Sequence, residues 1–390
     1  MNTSLARMTL GAVALATTVC AACAPRGVGR RPEPAPPVSV PEVDHSLFLI
    51  GDAGHALPGD RTMMRVTEFV EPLKDRATVI FLGDNIYPAG LPETGDPYRR
   101  TAEAILEVQL DVPRLAGVRG IVIPGNHDWA HGGDDGWNAI RRQEAFVEAY
   151  GPNLDVLPDG GCPGPVVLDL SARLRVVILD TQWWFHEGAK PVHPDSPCAD
   201  DSPEEVVASL REAIALAGDR HVVIIGHHPL ATVGKHGGYF PLQDHLFPLR
   251  RVAKWLWIPV PFLGSVYPAL RNLGVYDQDV SAGVYKRFVR AMEAAFEAQP
   301  PLAFVGGHDH SLQVLEGTST PYVLVSGAGP SSGLGSVGWN DRTLYARGVC
   351  GFMRLDVLRD GRVRLGVFET CPVDGFRESY SQWLTGPPPP

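Results

Sequence analysis

The most constraining feature of this sequence is a series of seven short apolar runs, each followed at once by glycine or by polar residues. The runs are rich in Val, Ile, Leu and Phe and are nearly continuous, which is typical of strands buried on both faces of a sheet. The pattern predicts an α/β fold. In chain order the runs cover 46–50, 78–82, 120–123, 174–179, 221–225, 302–305 and 322–325.

Helix and turn signals lie between these runs. Ser202-Pro203-Glu204-Glu205 is a capping box with Pro at the first helical position, which predicts a helix to about Ala217. Asp96-Pro97 similarly predicts a helix through Leu110, and 282–298 has the pattern of a third helix. Near the end of the chain, two alternating runs flank Arg359-Asp360-Gly361 and predict a β-hairpin.

Polar side chains collect where the apolar runs end. In open α/β folds ligands bind at the carboxyl ends of strands, so these distant residues are expected to meet. Oxygen and imidazole donors without thiolates suit iron, manganese or zinc. The cysteines from Cys23 onward contain no Cys-x-x-Cys pair, which makes a thiolate zinc site unexpected. The end segments are Gly51-Asp52, Gly83-Asp84, Asn126-His127-Asp128, His227-His228 and His308-Asp309-His310.

Two metal ions held about 3.5–4 Å apart would form a clamp for displacement at phosphorus. Such a pair needs one ligand shared by both ions. Asp84 follows a central strand and is placed for that bridging role. The amide oxygen of Asn126 would bind an ion without adding negative charge beside an anionic substrate.

Five ordered segments resemble the calcineurin-like metallophosphoesterases. They are similar, more narrowly, to the purple acid phosphatase branch and especially its short tartrate-resistant type, over about 46–329. The resemblance implies a four-layer α/β/β/α sandwich, with two mixed β-sheets flanked by helices and a dimetal site at the strand C-terminal ends. The matching segments are Gly51-Asp52-Ala53-Gly54, Gly83-Asp84-Asn85-Ile86-Tyr87, Gly125-Asn126-His127-Asp128, Ile224-Ile225-Gly226-His227 and Gly307-His308-Asp309-His310.

The resemblance also implies a ligand for each metal position. Fe(III) at the first site would be held by Asp52, Tyr87 and His310. A divalent Fe, Zn or Mn at the second site would be held by Asn126, His227 and His308, and Asp84 would bridge the two ions.

Tyr87 is the informative departure from the wider superfamily, most of which has His where this chain has Gly54. A phenolate is a hard anionic ligand that favours Fe(III) and gives a coloured charge-transfer band. Two alternatives remain open: Tyr87 is a packed loop aromatic, or the neighbouring His55 replaces it as a ligand.

Two further histidines are implied on the substrate side. His127 and His236 are both candidates for the general acid that protonates the departing alkoxide. The alternative for His236, which lies in a Gly-rich run, is a solvated loop residue. Asp128 is expected to orient His127 rather than to bind metal. The histidines interpreted as loop or packing residues are His186, His193 and His228, the last of which could shape the pocket.

The ends of the chain do not look like a folded domain. Residues 1–23 have the pattern of a secretory signal, and Cys20-Ala21-Ala22-Cys23 resembles a bacterial lipobox with Cys23 as the lipidated residue. Ordinary signal cleavage without a lipid is the alternative. We expect a Pro-rich linker over 24–43, the metallophosphoesterase domain over 44–376 and a Pro-rich tail over 377–390.

Four cysteines follow the lipobox-like segment, an even number that fits an oxidising compartment. Three pairings are possible. The pairs Cys162–Cys198 and Cys350–Cys371 are favoured because their members are near each other in sequence.

Residues 241–281 form an apolar insertion relative to the short phosphatases. Their most apolar part, 255–263, contains two Trp and two Pro, which argues against a central strand or a long helix. One interpretation is an apolar lid or subdomain packed on the core. The other is an apolar surface that touches a membrane or a partner.

These features together predict an exported protein. Nucleic acid is not expected as a partner, because the chain has a net charge of -10 and no long basic run. The leading hypothesis is a metal-dependent phosphatase acting on phosphorylated small molecules or phosphoproteins at the periplasmic or extracellular face, anchored through Cys23. The alternatives are a phosphodiesterase or nucleotide hydrolase of the same superfamily, and a non-catalytic phosphate-binding envelope lipoprotein.

Overall fold

The structure, a computed structural model, describes residues 33–386 apart from 195, 252, 254, 261–262, 331–332 and 372–374. The signal-like segment, Cys23 and the first part of the Pro-rich linker lie outside these residues. Among the helices in the described part of the chain, none has the length and apolar character required to span a bilayer.

The described residues contain fourteen strands, and each of the seven predicted runs overlaps one of them. In chain order the strands are β1 (Val43–Ile50), β2 (Ala77–Phe81), β3 (Arg119–Val122), β4 (Leu154–Val156), β5 (Val166–Asp169), β6 (Leu174–Ile178), β7 (His221–Ile225), β8 (Ala303–Gly306), β9 (Leu312–Glu316), β10 (Tyr322–Ser326), β11 (Thr343–Arg347), β12 (Gly351–Leu358), β13 (Val363–Glu369) and β14 (Arg377–Trp383).

These strands form two mixed sheets of seven. The first has the order β14-β13-β12-β1-β2-β3-β4, in which β1 to β4 are parallel and β12 runs antiparallel to β1. The second has the order β11-β9-β10-β8-β7-β6-β5, with β6, β7, β8 and β10 parallel. The parallel strands therefore carry the polar segments that follow them to a common edge of each sheet.

Helices cover the outer face of each sheet. The helices are α1 (Arg61–Val70), α2 (Arg99–Ala116), α3 (Gly136–Tyr150), α4 (Gln182–Phe185), α5 (Pro203–Ala215), α6 (Leu242–Leu246), α7 (Val266–Asn272) and α8 (Gly283–Phe296). Val66, Leu106 and Val147 of α1 to α3 pack on the first sheet. Leu210 of α5 and Phe288 of α8 pack on the second.

A third apolar cluster lies between the sheets, where Leu49 and Ile80 of the first meet side chains of the second such as Val176 and Ile225. The strands are thus buried on both faces, which explains why their sequences do not alternate. The layers are helix, sheet, sheet and helix, and the predicted four-layer α/β/β/α sandwich is confirmed.

Some of the predicted helix ends agree with the structure, and others differ from it by several residues. The capping box is confirmed, because the Ser202 side chain accepts from the Glu205 amide and α5 follows. The predicted 96–110 helix begins later, at Arg99, because the Asp96 carboxylate accepts from the Tyr98 amide in a turn. It also continues to Ala116. The predicted 282–298 helix is α8, and the hairpin is β12 and β13.

Two predicted boundaries are wrong. Residues 377–383 are not a tail, because they form β14, which pairs with β13 at the edge of the first sheet. The end of the predicted linker also joins the domain. Ala35 is buried, and its main-chain oxygen accepts hydrogen bonds from Arg364 at 3.0 Å and Ser381 at 2.9 Å.

Both favoured cysteine pairs are present as disulfides, Cys162–Cys198 and Cys350–Cys371. The first connects the segment before β5 to the segment before α5. The second connects the start of β12 to the segment after β13.

The insertion forms α6, α7 and short 3₁₀ turns. Trp255 is 76% exposed and Trp257 is 56% exposed. Val280 packs against the apolar cluster on the outer face of the second sheet, but neither Trp255 nor Trp257 belongs to any apolar cluster of the domain. The interpretation of 255–263 as a lid packed on the core is therefore wrong for both Trp side chains.

Candidate metal centre

Three of the predicted ligands adopt a strained backbone at the ends of strands. Asp52, Asp84 and His308 have φ values of 58°, 54° and 67°, in the left-handed region that Asp and His adopt more readily than most residues. Such strain costs on the order of 1–3 kcal/mol per residue and concentrates at functional sites. Glycine is needed beside them, because a Cβ atom at Gly307 would lie 2.6 Å from Oδ2 of Asp52.

The first group of side chains is built around Asp52. Its Oδ1 lies 3.2 Å from the Tyr87 hydroxyl and 3.3 Å from Nε2 of His310. The Tyr87 hydroxyl is also 2.9 Å from Nε2 of His310 and 3.3 Å from Oδ2 of Asp84. The four residues predicted for the first metal site, counting the bridge, are therefore together.

The second group is built around Asn126. Its Oδ1 lies 3.1 Å from Nε2 of His227 and 3.1 Å from Nδ1 of His308. Nε2 of His227 is 3.5 Å from Oδ1 of Asp84. One oxygen of Asp84 thus faces each group, as the bridging role requires.

Main-chain oxygens orient all three imidazoles of the two groups. Nδ1 of His227 donates to Leu82 at 2.8 Å, and Nδ1 of His310 donates to Gly333 at 2.8 Å. Nε2 of His308 donates to Gln278 at 2.9 Å. Because a carbonyl oxygen only accepts, each ring keeps its other nitrogen free to point into the site, as metal-bound histidines do.

The donor chemistry fits two cations. When the imidazoles are neutral, their free nitrogens face the oxygen of Asn126 and the carboxylates of Asp52 and Asp84, so lone pairs converge with no proton between them. In the first group, the candidate ligand atoms of Asp52, Asp84 and His310 all lie within 4.8 Å of one another. Oxygen-rich donors there and imidazole-rich donors in the second group suit iron, manganese or zinc.

The pKa values of the candidate ligands are shifted in different directions in the two groups. Burial acts to lower the pKa of His310, but its contact with Asp52 raises that pKa to about 9. Burial and the neighbouring charge of His236 hold the pKa of His308 well below its ordinary value. Burial and the carboxylates of Asp52 and Asp84 raise the pKa of Tyr87 well above its ordinary value. A cation would have to displace the Tyr87 proton, since the phenol is otherwise protonated at neutral pH.

Comparison with known families agrees with this arrangement. The family model for the calcineurin-like phosphoesterase domain matches residues 46–256, more than half of the chain. The chain belongs to the calcineurin-like phosphoesterase family. The recognition made from the five sequence segments is confirmed at the level of the family. No curated protein sequence gives a significant match.

Solved structures share the fold of this phosphoesterase at low sequence identity. GAP50, described as the anchor in the inner membrane complex of Plasmodium, is 13% identical with a TM-score of 0.51, and the match covers 88% of this chain and 89% of that one. PhoD is 13% identical with a TM-score of 0.52, covering 89% and 70%. The purple acid phosphatase PPD1 from yellow lupin (Lupinus luteus) seeds is 14% identical with a TM-score of 0.47, covering 88% and 54%.

Two further histidines lie close to the candidate ligands of this phosphoesterase. His228 is near His227 and His308, but its Nδ1 is 2.8 Å from the Thr181 hydroxyl and its Nε2 is 2.6 Å from Oε1 of Gln278. With both nitrogens engaged, it packs behind the site. His55 stacks on the Tyr87 ring with centroids 4.5 Å apart, and it is the Tyr87 hydroxyl that lies beside Asp52, Asp84 and His310.

His127 is held by a partner that the sequence did not indicate. Its Nδ1 donates to the main-chain oxygen of Pro88 at 2.5 Å, and its Nε2 is 3.9 Å from Oδ2 of Asp84. The expectation that Asp128 orients His127 is wrong. The Asp128 carboxylate accepts from the main-chain amides of Gly125 at 2.8 Å and Asn85 at 3.0 Å, so it joins the segments that follow β2 and β3.

The insertion contributes residues that sequence reasoning missed. The main-chain oxygen of Gln278 accepts from His308, and Oδ1 of Asp279 lies 3.0 Å from Nδ1 of His236. Arg271 of α7 forms a buried ion pair with Asp279. His236 therefore lies at the site rather than in a solvated loop. Nothing in the spacing of the five segments pointed to Gln278 or Asp279, because they lie outside them.

A second missed residue is His131. Its ring stacks on His127 with centroids 4.3 Å apart, and its Nδ1 is 3.5 Å from Nδ2 of Asn126. It follows the Gly125–Asp128 segment by three residues, with a left-handed φ of 53°. The sequence offered only one indication that His131 lies near the site, which is its position two residues after Trp129 in a Gly-rich run.

Proposed function

We propose that this phosphoesterase is a phosphatase that hydrolyses phosphomonoesters with a dinuclear Fe(III)–M(II) centre, M being Fe, Zn or Mn. The observation that carries the proposal is the position of Asp84, with one carboxylate oxygen facing each group of candidate ligands. Tyr87 supports iron at the first site, because a phenolate prefers a hard trivalent ion.

The residues of the chain divide into binding and proton-handling roles. Asp52, Tyr87 and His310 would hold the first ion, Asn126, His227 and His308 the second, and Asp84 both. When bound, the pair of ions would neutralise phosphate oxygens and supply a nucleophile near neutral pH.

His127 and His236 would handle the proton of the leaving group. In both rings Nδ1 is engaged, with Pro88 in one case and with Asp279 in the other. Nε2 of the protonated, cationic ring is therefore the group that would transfer a proton to the departing oxygen, leaving the ring neutral with its proton on Nδ1. The two rings belong to segments on different sheets, so each can serve a different orientation of the ester.

We also propose that the protein acts outside the cytoplasm, anchored through a lipid on Cys23. The signal-like residues 1–23 and the two disulfides support export, since disulfides persist in oxidising compartments. Its substrates would be phosphorylated small molecules or phosphoproteins in that compartment. If the proposal is right, the wild-type protein incorporates labelled fatty acid in the producing cells and a Cys23→Ala variant does not.

Turnover of two aryl esters tests the chemistry. Purified, metal-loaded protein is assayed with 4-nitrophenyl phosphate and bis(4-nitrophenyl) phosphate, beside His227→Ala and the exposed-loop control His193→Ala. We expect the monoester to be preferred, His227→Ala to lose at least about 100-fold in kcat/KM, and His193→Ala to match the wild type. Preference for the diester would instead identify a phosphodiesterase. Tight phosphate binding without turnover of either ester would identify a binding protein.

A further inference from the structure

Exposed apolar side chains are concentrated in one short part of the chain. Of the 20 large apolar residues that are exposed among the described residues, 12 lie between 239 and 276. The most exposed are Trp255 and Leu273 at 76% each and Leu263 at 69%. Single exposed apolar residues are ordinary, but a cluster of this kind marks an interaction surface.

The charged residues of this segment are mostly basic, whereas those of the whole chain are mostly acidic. The whole chain has a net charge of -10, yet the insertion 241–281 contains four basic residues against the three acidic residues Asp244, Asp277 and Asp279. Arg271 is buried against Asp279 and is thereby neutralised. The three remaining basic residues, Arg250, Arg251 and Lys254, are adjacent in sequence to Trp255 and Trp257.

Arg250 connects the basic and aromatic residues in space. Its guanidinium lies 3.8 Å from the centroid of the Trp257 ring, and Phe247 packs edge-on against the same ring at 5.3 Å. Tryptophan next to arginine or lysine is the composition of protein surfaces that lie in the headgroup region of a bilayer.

We propose that the 241–276 segment is a membrane-binding surface that inserts its Trp side chains among the headgroups of an anionic phospholipid bilayer. Charge decides between this partner and a second copy of the chain. A symmetric dimer through this surface would bring the same basic residues of both copies together, because a twofold interface is self-complementary. An anionic lipid surface attracts them, at about 1 kcal/mol per Lys or Arg near the surface.

This surface is independent of the lipid proposed at Cys23. The 241–276 surface would contact the lipid headgroups in addition to any attachment that a lipid on Cys23 supplies. The inference does not depend on phosphatase activity, since none of the exposed residues named above contacts the candidate metal ligands.

Sedimentation with vesicles tests the proposal without the acyl chain. The Cys23→Ala protein, prepared without the signal-like residues 1–22, is mixed with vesicles of phosphatidylcholine alone, or of phosphatidylcholine and phosphatidylglycerol in equal parts. We expect binding to the anionic vesicles that falls about tenfold on adding Trp255→Ser and Trp257→Ser. Trp339→Ser, which removes a Trp that is 45% exposed outside the segment, should have no effect.

The charge is tested separately with Arg250→Glu, which should weaken binding to anionic vesicles about fivefold or more and leave any weak binding to neutral vesicles unchanged. Circular dichroism and thermal unfolding confirm that each variant is folded.

The proposal is overturned if the Cys23→Ala protein binds neither kind of vesicle, or if removal of both Trp side chains leaves binding intact. It is equally overturned if the two Trp substitutions abolish a dimer while the wild type ignores vesicles.

Discussion

The ring of His236 lies over the ring of His308, with the two centroids 4.0 Å apart. His308 is a candidate ligand of the second ion, so His236 stands at the edge of the metal centre without belonging to it. Its Nδ1 is held by Asp279, a residue of the insertion. The 241–281 segment therefore helps to build the site.

Substitution of His236 should affect chemistry but not metal binding. In His236→Asn the side chain can no longer give a proton to the leaving group, and we expect kcat to fall about 100-fold. Metal content, measured by mass spectrometry of the digested protein, should stay at the wild-type level. His193→Asn, in an exposed loop, serves as the control. A parallel loss of bound metal would instead make His236 a structural support of His308.

Tyr87 should give the iron-loaded protein its colour. Tyr87→Phe removes the phenolate, so we expect the visible charge-transfer band to disappear while part of the iron remains bound. Tyr98→Phe is a matched control, because the Tyr98 hydroxyl donates to the main-chain oxygen of Tyr87 and lies outside the ligand set. A band that survives in Tyr87→Phe would contradict the assignment and turn attention to His55.

Iron uptake should release a proton and weaken in acid. Burial beside Asp52 and Asp84 raises the pKa of Tyr87 well above its ordinary value, so a cation must displace the phenolic proton in order to bind. We expect the affinity for Fe(III), measured by competition with a chelator, to rise with pH more steeply in the wild type than in Tyr87→Phe. Equal slopes would show that Tyr87 is not a ligand.

Acid should destabilise the fold through a residue far from the metals. The side chain of His45 on β1 is buried, with its Nε2 2.9 Å from the hydroxyl of Thr78 on β2, and burial lowers its pKa from 6.5 to about 4. As pH falls through this window, the unfolded chain takes up a proton that folded His45 refuses. The free energy of unfolding should thus drop by about 3 kcal/mol between roughly pH 6.5 and 4.

Denaturant titrations at several pH values measure this drop, and His45→Gln should lack it because Gln does not titrate. The control His193→Gln should retain the full acid dependence. If His45→Gln shows the same fall in stability as the wild type, the acid sensitivity resides in other groups.

The Cys162–Cys198 disulfide should stabilise the folded state. It closes a segment with a sequence separation of 36, and a loop of that length predicts a contribution of about 4 kcal/mol. Replacement of both cysteines by serine should lower the denaturation midpoint accordingly. An unchanged midpoint would show that this pair does not constrain the unfolded chain.

The sequence was most informative where a buried strand is followed directly by a candidate metal ligand. The strands are buried on both faces, and the metal ligands follow them directly, so one apolar run predicted both a strand and the place of a ligand. Asp52, Asp84 and His308 illustrate this, since each lies within three residues of the end of a strand.

The missed features have no such pattern. β14 is an edge strand of mostly polar, half-exposed residues, so its sequence resembles a tail. Gln278 orients His308 through its main-chain oxygen, which any residue type supplies. Asp128 was misassigned because it is adjacent to His127 in sequence, whereas its carboxylate points to the amides of neighbouring loops.

The metal content of the Asp84→Ala variant tests the central claim most directly. Metal-loaded wild-type protein, Asp84→Ala and the exposed control Asp341→Ala are dialysed together, and bound ions per chain are counted by mass spectrometry. Because Asp84 faces both groups of ligands, we predict two ions in the wild type and in the control, and at most one in Asp84→Ala. A wild type that saturates with a single ion, or an Asp84→Ala protein that keeps two, would contradict the bridged dinuclear centre.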